Sequence, residues 1–266
     1  MTKSWETMTL QDCPKRPAPS AACTIGILPS FPDGEIAHAT ALANHASEPA
    51  TVAGLAELFY ILEGQGQLWR ASGGVESVTP LSPHDCVVIT PGVEYQYRAT
   101  GGPMKFLVAT TTRFDPVKNW REGRRRYWNA DGAVANRSLQ PGPWTTTRLP
   151  RERNYLAPDG SEIRLLPTFD AGGLAHCMLP AGNISASVRH RTVKEIWYVL
   201  AGRGEVWRGH DRDRETRTVQ ADVCLTIPTG VSFQFRALDE PLEIMIGTFP
   251  NWPGPHEAEP VDGEWK

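Results

Sequence analysis

Hydrophobic positions along the chain come in short runs closed by turns. Glu57-Leu-Phe-Tyr-Ile-Leu62 and Glu195-Ile-Trp-Tyr-Val-Leu200 are rich in aromatic and β-branched residues, and each ends at a Gly-x-Gly, Gly64–Gly66 and Gly202–Gly204. Cys86-Val-Val-Ile89 and Cys224-Leu-Thr-Ile227 stop at Pro-Gly or Pro-Thr-Gly turns. Lys105–Thr111 and Leu242–Thr248 predict further strands. No long stretch carries the 3.6-residue period of an amphipathic helix, and Pro or Gly interrupts the chain about every ten residues. The pattern predicts an all-β protein, a sandwich or small barrel.

The runs repeat. Residues 24–112 lie on residues 162–250 at a constant offset of 138 without a gap. Ile25–Phe31 falls on Ile163–Phe169, Ile36-Ala-His38 on Leu174-Ala-His176, and Glu57–Gly66 on Glu195–Gly204. Trp69-Arg70 falls on Trp207-Arg208, Cys86–Ile89 on Cys224–Ile227, and Gln96–Ala99 on Gln234–Ala237. One register held over so many positions implies duplication of a domain of about 90 residues, too long and too few in copies for a solenoid. The organisation expected is an arm (1–23), a first domain (24–127), a linker with a strand extension (128–161), a second domain (162–252) and a tail (253–266). Asn119-Trp120 echoes Asn251-Trp252, so part of the joining segment is the folded-back tail of copy one, with its Trp indoles expected to clamp a barrel end.

Composition narrows the function. The net charge is −3 over 266 residues, which supplies no field for nucleic acid. The basic run Arg121, Arg124, Arg125, Arg126 beside Trp120 and Tyr127 is accordingly expected to be a solvated or interface segment. No segment reaches the roughly 20 apolar residues of a membrane span, and the start has no secretory pattern. Five scattered cysteines without a CxxC exclude a disulfide scaffold and a thiolate zinc site. Cys86 and Cys224 are expected to be inert core residues. Asn136-Arg-Ser138 matches a glycosylation sequon that carries no weight without secretion. A cytoplasmic protein acting on a small molecule, without nucleic-acid or membrane partners, is the expectation, with homodimerisation favoured on general grounds.

The repeats resemble the cupin superfamily, whose motifs run G-x5-H-x-H-x3,4-E-x6-G and G-x5-P-x-G-x2-H-x3-N. Glu57 with Gly64, and Glu195 with Gly202, fit the end of the first motif. Ile89-Thr-Pro-Gly92 and Ile227-Pro-Thr-Gly230 fit the turn of the second. The resemblance covers about two-thirds of the chain. It implies two tandem cupin barrels, double-stranded β-helix jelly rolls, related by internal duplication: a bicupin. The fold hosts oxygenases, isomerases, lyases, cyclases and binding proteins, so it names no reaction.

In metal-binding cupins three histidines and the Glu hold one divalent ion. Those positions fall here on Ala50, Val52, Glu57 and Tyr95 in copy one, and on Val188, His190, Glu195 and Phe233 in copy two. Copy one keeps one ligand of four, and Glu57 with Tyr95 reads as a degenerate site. Copy two keeps two. His176, matched by His38 in copy one, is expected to be a hydrogen-bonded structural histidine. If it faces inward instead, His176, His190 and Glu195 form a two-His-one-carboxylate set for Fe(II), Mn(II) or Zn(II), and His176 becomes part of the pocket wall.

Without metal, a carboxylate in an apolar barrel has its pKa raised by desolvation, and an imidazole beside it makes an acid/base pair. The leading expectation is non-redox chemistry (isomerisation, cyclisation or elimination) in the second barrel. Glu195 and His190 would be base and acid, and Trp197, Phe233, Val188 and His176 the substrate-binding wall. The alternatives are a non-catalytic ligand-binding bicupin, and a metal-dependent oxygenase or isomerase on the reduced set His176, His190 and Glu195.

Overall fold

The computed structural model describes residues 5–129, 139, 143–144 and 146–266. The sequon Asn136-Arg-Ser138 lies outside them. The chain forms two compact units that interleave along the sequence. One comprises Pro14–Ile27 and Glu35–Arg148; the other comprises Met1–Cys13, Leu28–Gly34 and Leu149–Lys266.

The second-copy unit holds two antiparallel sheets. One has seven strands in the order Thr7–Thr9, Val223–Ile227, Lys194–Ala201, Leu242–Phe249, Gly172–Leu179, Glu162–Phe169, Tyr155–Leu156; the other has five, Asp213–Gln220, Arg203–His210, Ser232–Ala237, Val188–His190, Ala258–Pro260. In the first-copy unit the strands Glu57–Ser72 and Glu94–Thr110 continue through both layers, which join into one ten-stranded sheet. The bend in this long strand comes at Gly64 and its counterpart Gly202, with φ of 78° and 82°. A Cβ there would overlap the carbonyl oxygen of Pro103 or Pro241, so both the conformation and the close approach require glycine.

Alternation along the strands fills each barrel. In the second, Trp197, Val199, Val206, Leu225, Ile227, Phe233, Phe235, Ile244 and Ile246 form one core. In the first, the matching positions are Phe59, Ile61, Leu68, Val87, Ile89, Tyr95, Tyr97, Phe106 and Val108.

One edge of each barrel is covered by an added strand. Thr7–Thr9 pairs antiparallel with Val223–Ile227, with Thr7 opposite Leu225. Thr146–Arg148 pairs with Asp85–Ile89, with Thr146 opposite Val87, the residue 138 before Leu225. Fully buried arginines lie under these strands. Arg208 donates from Nη1 to the carbonyls of Glu6 and Thr226, both at 2.9 Å, and from Nη2 to Glu215 at 3.0 Å and to the Thr7 hydroxyl. Trp5 covers its guanidinium and donates to Glu215 at 2.9 Å. Arg70 repeats part of this, donating to the Val88 carbonyl at 3.2 Å, with Trp144 over it.

The copy-one tail folds back, as its echo in the second copy implies. Trp120–Glu122 pairs with Ala50–Val52, as Ala258–Pro260 pairs with Val188–His190. Buried Gln96 receives the N–H groups of Tyr127 and Trp128 at 2.9 and 3.0 Å and donates to the Trp128 carbonyl; Gln234 does the same with Trp265. Trp120 and Trp252, the indoles expected to clamp a barrel end, instead line the interiors of the first and second barrel. The arginine run is tied down within its own unit: Arg125 pairs with Glu94 at 2.6 Å, and Arg126 with Glu48. All five cysteines are buried and none is in a disulfide, and burial pushes the Cys86 thiol up to about 12, consistent with inert core residues.

Candidate functional site: the lumen of the second barrel

A cavity of about 310 Å3 opens within the second barrel. On Lys194–Ala201, alternation directs Glu195 and Trp197 to this side, and Val188–His190 directs Val188 and His190 to it. Phe233 closes the far wall, with its ring 5.0 Å from the His190 imidazole and 5.4 Å from the Trp197 indole, both edge-on. Five expected site residues, Glu195, His190, Trp197, Phe233 and Val188, therefore line one cavity.

His176 does not join them. The strand Gly172–Leu179 turns Ala175, Cys177 and Leu179 to the core side and His176 to the opposite face. There its Nε2 lies 2.9 Å from Glu243. A position shifted by one residue faces the other way; this corrects both the pocket-wall and the metal-ligand expectations for His176. His38, its counterpart, likewise sits between Ala37 and Ala39, which face the first barrel's interior.

Burial sets the charge states. Glu195 is 5% exposed and accepts from the Trp197 indole at 2.7 Å. Desolvation raises its pKa to about 8, against the lowering effect of that hydrogen bond. His190 is 3% exposed, and desolvation lowers it to about 4 although Glu257 and Asp159 pull it upward. At neutral pH Glu195 is thus a protonated acid and His190 a free base. The 3.9 Å from His190 Nδ1 to Glu195 Oε1 is too long for a hydrogen bond. His190 Nδ1 is buried with no hydrogen-bond partner. These charge states are the reverse of those that a Glu195 base and a His190 acid would start from.

Three more lining residues matter. The Trp252 indole stacks edge-on against His190 at 5.3 Å, and its Nε1 is buried without a partner, as is the Tyr155 hydroxyl. Asp159, raised by desolvation, accepts from the Ser161 N–H at 2.9 Å and its hydroxyl at 2.7 Å. Tyr155 and Asp159 fall before the gap-free repeat. A signal was present: Ala157-Pro158-Asp159 echoes Ala18-Pro19-Ser20 at an offset of 139, one residue out of register.

The first barrel encloses only about 70 Å3. Phe106 stands there in place of Ile244, packed on Phe59 at 5.0 Å. Glu57 is raised to about 7 by desolvation, against a hydrogen bond from Tyr95.

The metal-binding pattern is not met. Val188 and Phe233 offer no donor, His176 faces away, and of the four motif positions His190 and Glu195 alone remain. Among the described residues no group of three or more His, Cys, Asp or Glu side chains is placed to hold a metal ion. The donor set does not fit a resident divalent cation.

The cupin domain family matches residues 41–110 and 175–246, more than half of the chain. The chain belongs to the cupin family. Both matches fall within the duplicated barrels, so this is a tandem cupin, all-β in both halves. A search of curated proteins gives no match. Among solved structures, Bacillus subtilis oxalate decarboxylase at pH 4.6 superposes with a TM-score of 0.69 at 14% identity, covering 92% of this cupin and 76% of that chain. A Trp-to-Phe variant of the same enzyme gives 0.70 at 13% identity, covering 92% and 77%. A structure used to assign EPR parameters to that enzyme's Mn(II) centres gives 0.69 at 14%, again covering 92% and 77%. At such identity the likeness establishes the bicupin fold. Among the described residues no helix is long and apolar enough to cross a membrane.

Proposed function

We propose that this bicupin carries out non-redox acid/base chemistry on a small molecule in its second barrel, with His190 as general base and Glu195 as general acid. One observation carries the reading: two titratable groups in one cavity, 3.9 Å apart, have burial-shifted pKa values of about 4 and about 8. Neighbouring groups pushed apart in this way divide the acid and base roles at neutral pH.

The proton balance follows. Unprotonated His190 takes a proton from carbon next to a carbonyl, and Glu195 gives its own proton to the carbonyl oxygen, leaving an enol and a histidinium–glutamate pair. Return of the two protons, one of them to another carbon, completes an isomerisation; in an elimination the enol O–H proton instead returns to Glu195 as the carbonyl re-forms, and the departing β-substituent takes the proton from His190. Asp159 and Glu257 lie close enough to raise His190 and would stabilise its transient charge. Burial opposes ionisation of Glu257, but the N–H groups of Thr192 and Val193, at 2.5 and 2.7 Å, hold it below the usual carboxylate range.

Exchange of the acetyl protons of 2-acetylnaphthalene in D2O, followed by proton NMR, tests the pair. Wild type is expected to exceed Glu195→Gln and His190→Ala by at least about 100-fold, the usual size of a general acid/base contribution. Equal rates for all three would overturn the reading. Tight binding of the ketone without exchange would favour a ligand-binding bicupin in its place.

A further inference from the structure

Among the described residues the cavity wall contains no lysine or arginine. Its polar groups are His190, Glu195, Asp159, Tyr155, Trp252, Ser161, Thr168, Thr248 and Asn251, and the rest is Ala, Pro, Ile, Leu, Val, Phe and Trp. At the position where Arg16 enters the wall of the first barrel, two residues before Ala18-Pro19, the second barrel has Tyr155, two residues before Ala157-Pro158. The duplicated pockets therefore differ in charge as well as in size.

Three buried polar atoms remain without partners: the Trp252 indole N–H, the Tyr155 hydroxyl and His190 Nδ1. His190 is 3% exposed, so water outside the barrel does not satisfy it. Unpaired buried polar atoms are costly, and these three border a space large enough for a ligand to pair with them, as the three in the first barrel do not. Two of them, the indole and the phenol, can donate, and the protonated Glu195 adds a third donor. Together they suit an oxygen acceptor. The flat walls of Trp197, Phe233 and Trp252, with Ile163, Val188 and Ile246, suit an apolar ring. A volume of about 310 Å3 is of drug-like ligand size.

An anion fares badly here. Among the described residues no lysine or arginine lines the wall, the ionised Glu257 lies near it, and a buried charge without a counter-charge is strongly disfavoured. We infer that the second barrel selects an uncharged, apolar-bodied ring compound bearing a carbonyl or hydroxyl oxygen, and excludes carboxylate and phosphate compounds. The inference rests on reading this cavity as the substrate site and extends that reading to the class of substrate.

The test uses two probes of one shape, uncharged 2-acetylnaphthalene and anionic 2-naphthoate, titrated calorimetrically into the full-length protein at pH 7. The ketone is expected to bind at least about 100-fold more tightly, a difference of two decades in Kd. Trp252→Phe leaves a smaller aromatic face and removes the N–H; it should weaken the ketone about 10-fold more than it weakens 2-ethylnaphthalene, which has no oxygen. Naphthoate binding as tightly as the ketone, or no detectable binding of the ketone, overturns the inference. Glu195→Gln separates the two claims: it should keep ketone binding while exchange is lost. Selective ketone binding with exchange unaffected by the variant would sink the catalytic reading and leave the substrate class standing.

Discussion

Replacing Glu195 by Gln should stabilise the protein, by an amount that grows with pH. The side chain is isosteric, and the Gln oxygen can still accept from the Trp197 indole. Glu195 shifts from 4.5 to about 8, so between these values the unfolded chain ionises while the folded protein stays protonated. A group whose folded pKa is raised contributes stability below the unfolded value and loses it as pH rises to the folded value. The stability difference, variant minus wild type, should therefore be flat below pH 4.5. It should rise by about 1.4 kcal/mol per pH unit and level off above pH 8, with a total of a few kcal/mol. His190 has the opposite sign, shifted from 6.5 to about 4, so its contribution is lost as pH falls through that window. In wild type the two slopes cancel between pH 4.5 and 6.5, and only the Glu195 loss shows between 6.5 and 8. In Glu195→Gln, stability should still rise from pH 4.5 to 6.5 and then stay flat to pH 8 so far as this pair is concerned. Urea unfolding of both proteins at half-unit intervals from pH 4 to 9 measures the difference, in which titrations elsewhere cancel. A difference independent of pH from 5 to 8 would show that Glu195 is ionised in the folded protein and refute the reasoning.

Turnover should plateau between about pH 4 and pH 8, bounded by protonation of His190 below and ionisation of Glu195 above; a rate still climbing at pH 9 would contradict it. Arg208→Ala should cost about 3 kcal/mol, because it takes the buried donors away from the carbonyls of Glu6 and Thr226 and one partner away from Glu215, which keeps Trp5 and Arg217; it should also expose residues 5–13 to proteolysis, seen as early N-terminal clipping. Gly202→Ala should cost about 2 kcal/mol or more through its positive φ and the overlap with Pro241, measured by denaturant midpoint, whereas Gly230→Ala has open space and only the φ strain.

The fold was legible because duplication prints every structural choice twice. Gly64 and Gly202, Gln96 and Gln234, and Arg70 and Arg208 recur at a fixed spacing, and each pair does one job in two barrels. The pocket was only partly legible. Glu195, Trp197, His190, Val188 and Phe233 follow from strand alternation within the matched register. His176 did not, since a period of two leaves facing undetermined until the strand phase is known. Tyr155 and Asp159 come from a segment one residue out of register, and Trp252 from a tail whose echo, Asn119-Trp120, is displaced by six residues. The charge states of Glu195 and His190 were not legible, because a sequence shows which groups are present and not how deeply each is desolvated.

The claim at the centre of this account is that Glu195 is a neutral acid inside the second barrel at physiological pH. An infrared difference spectrum between wild type and Glu195→Gln at pH 6.5 tests it directly. The account predicts a carbonyl band of a protonated carboxylic acid, present in wild type and missing from the variant. A difference confined to the carboxylate stretching bands would contradict it.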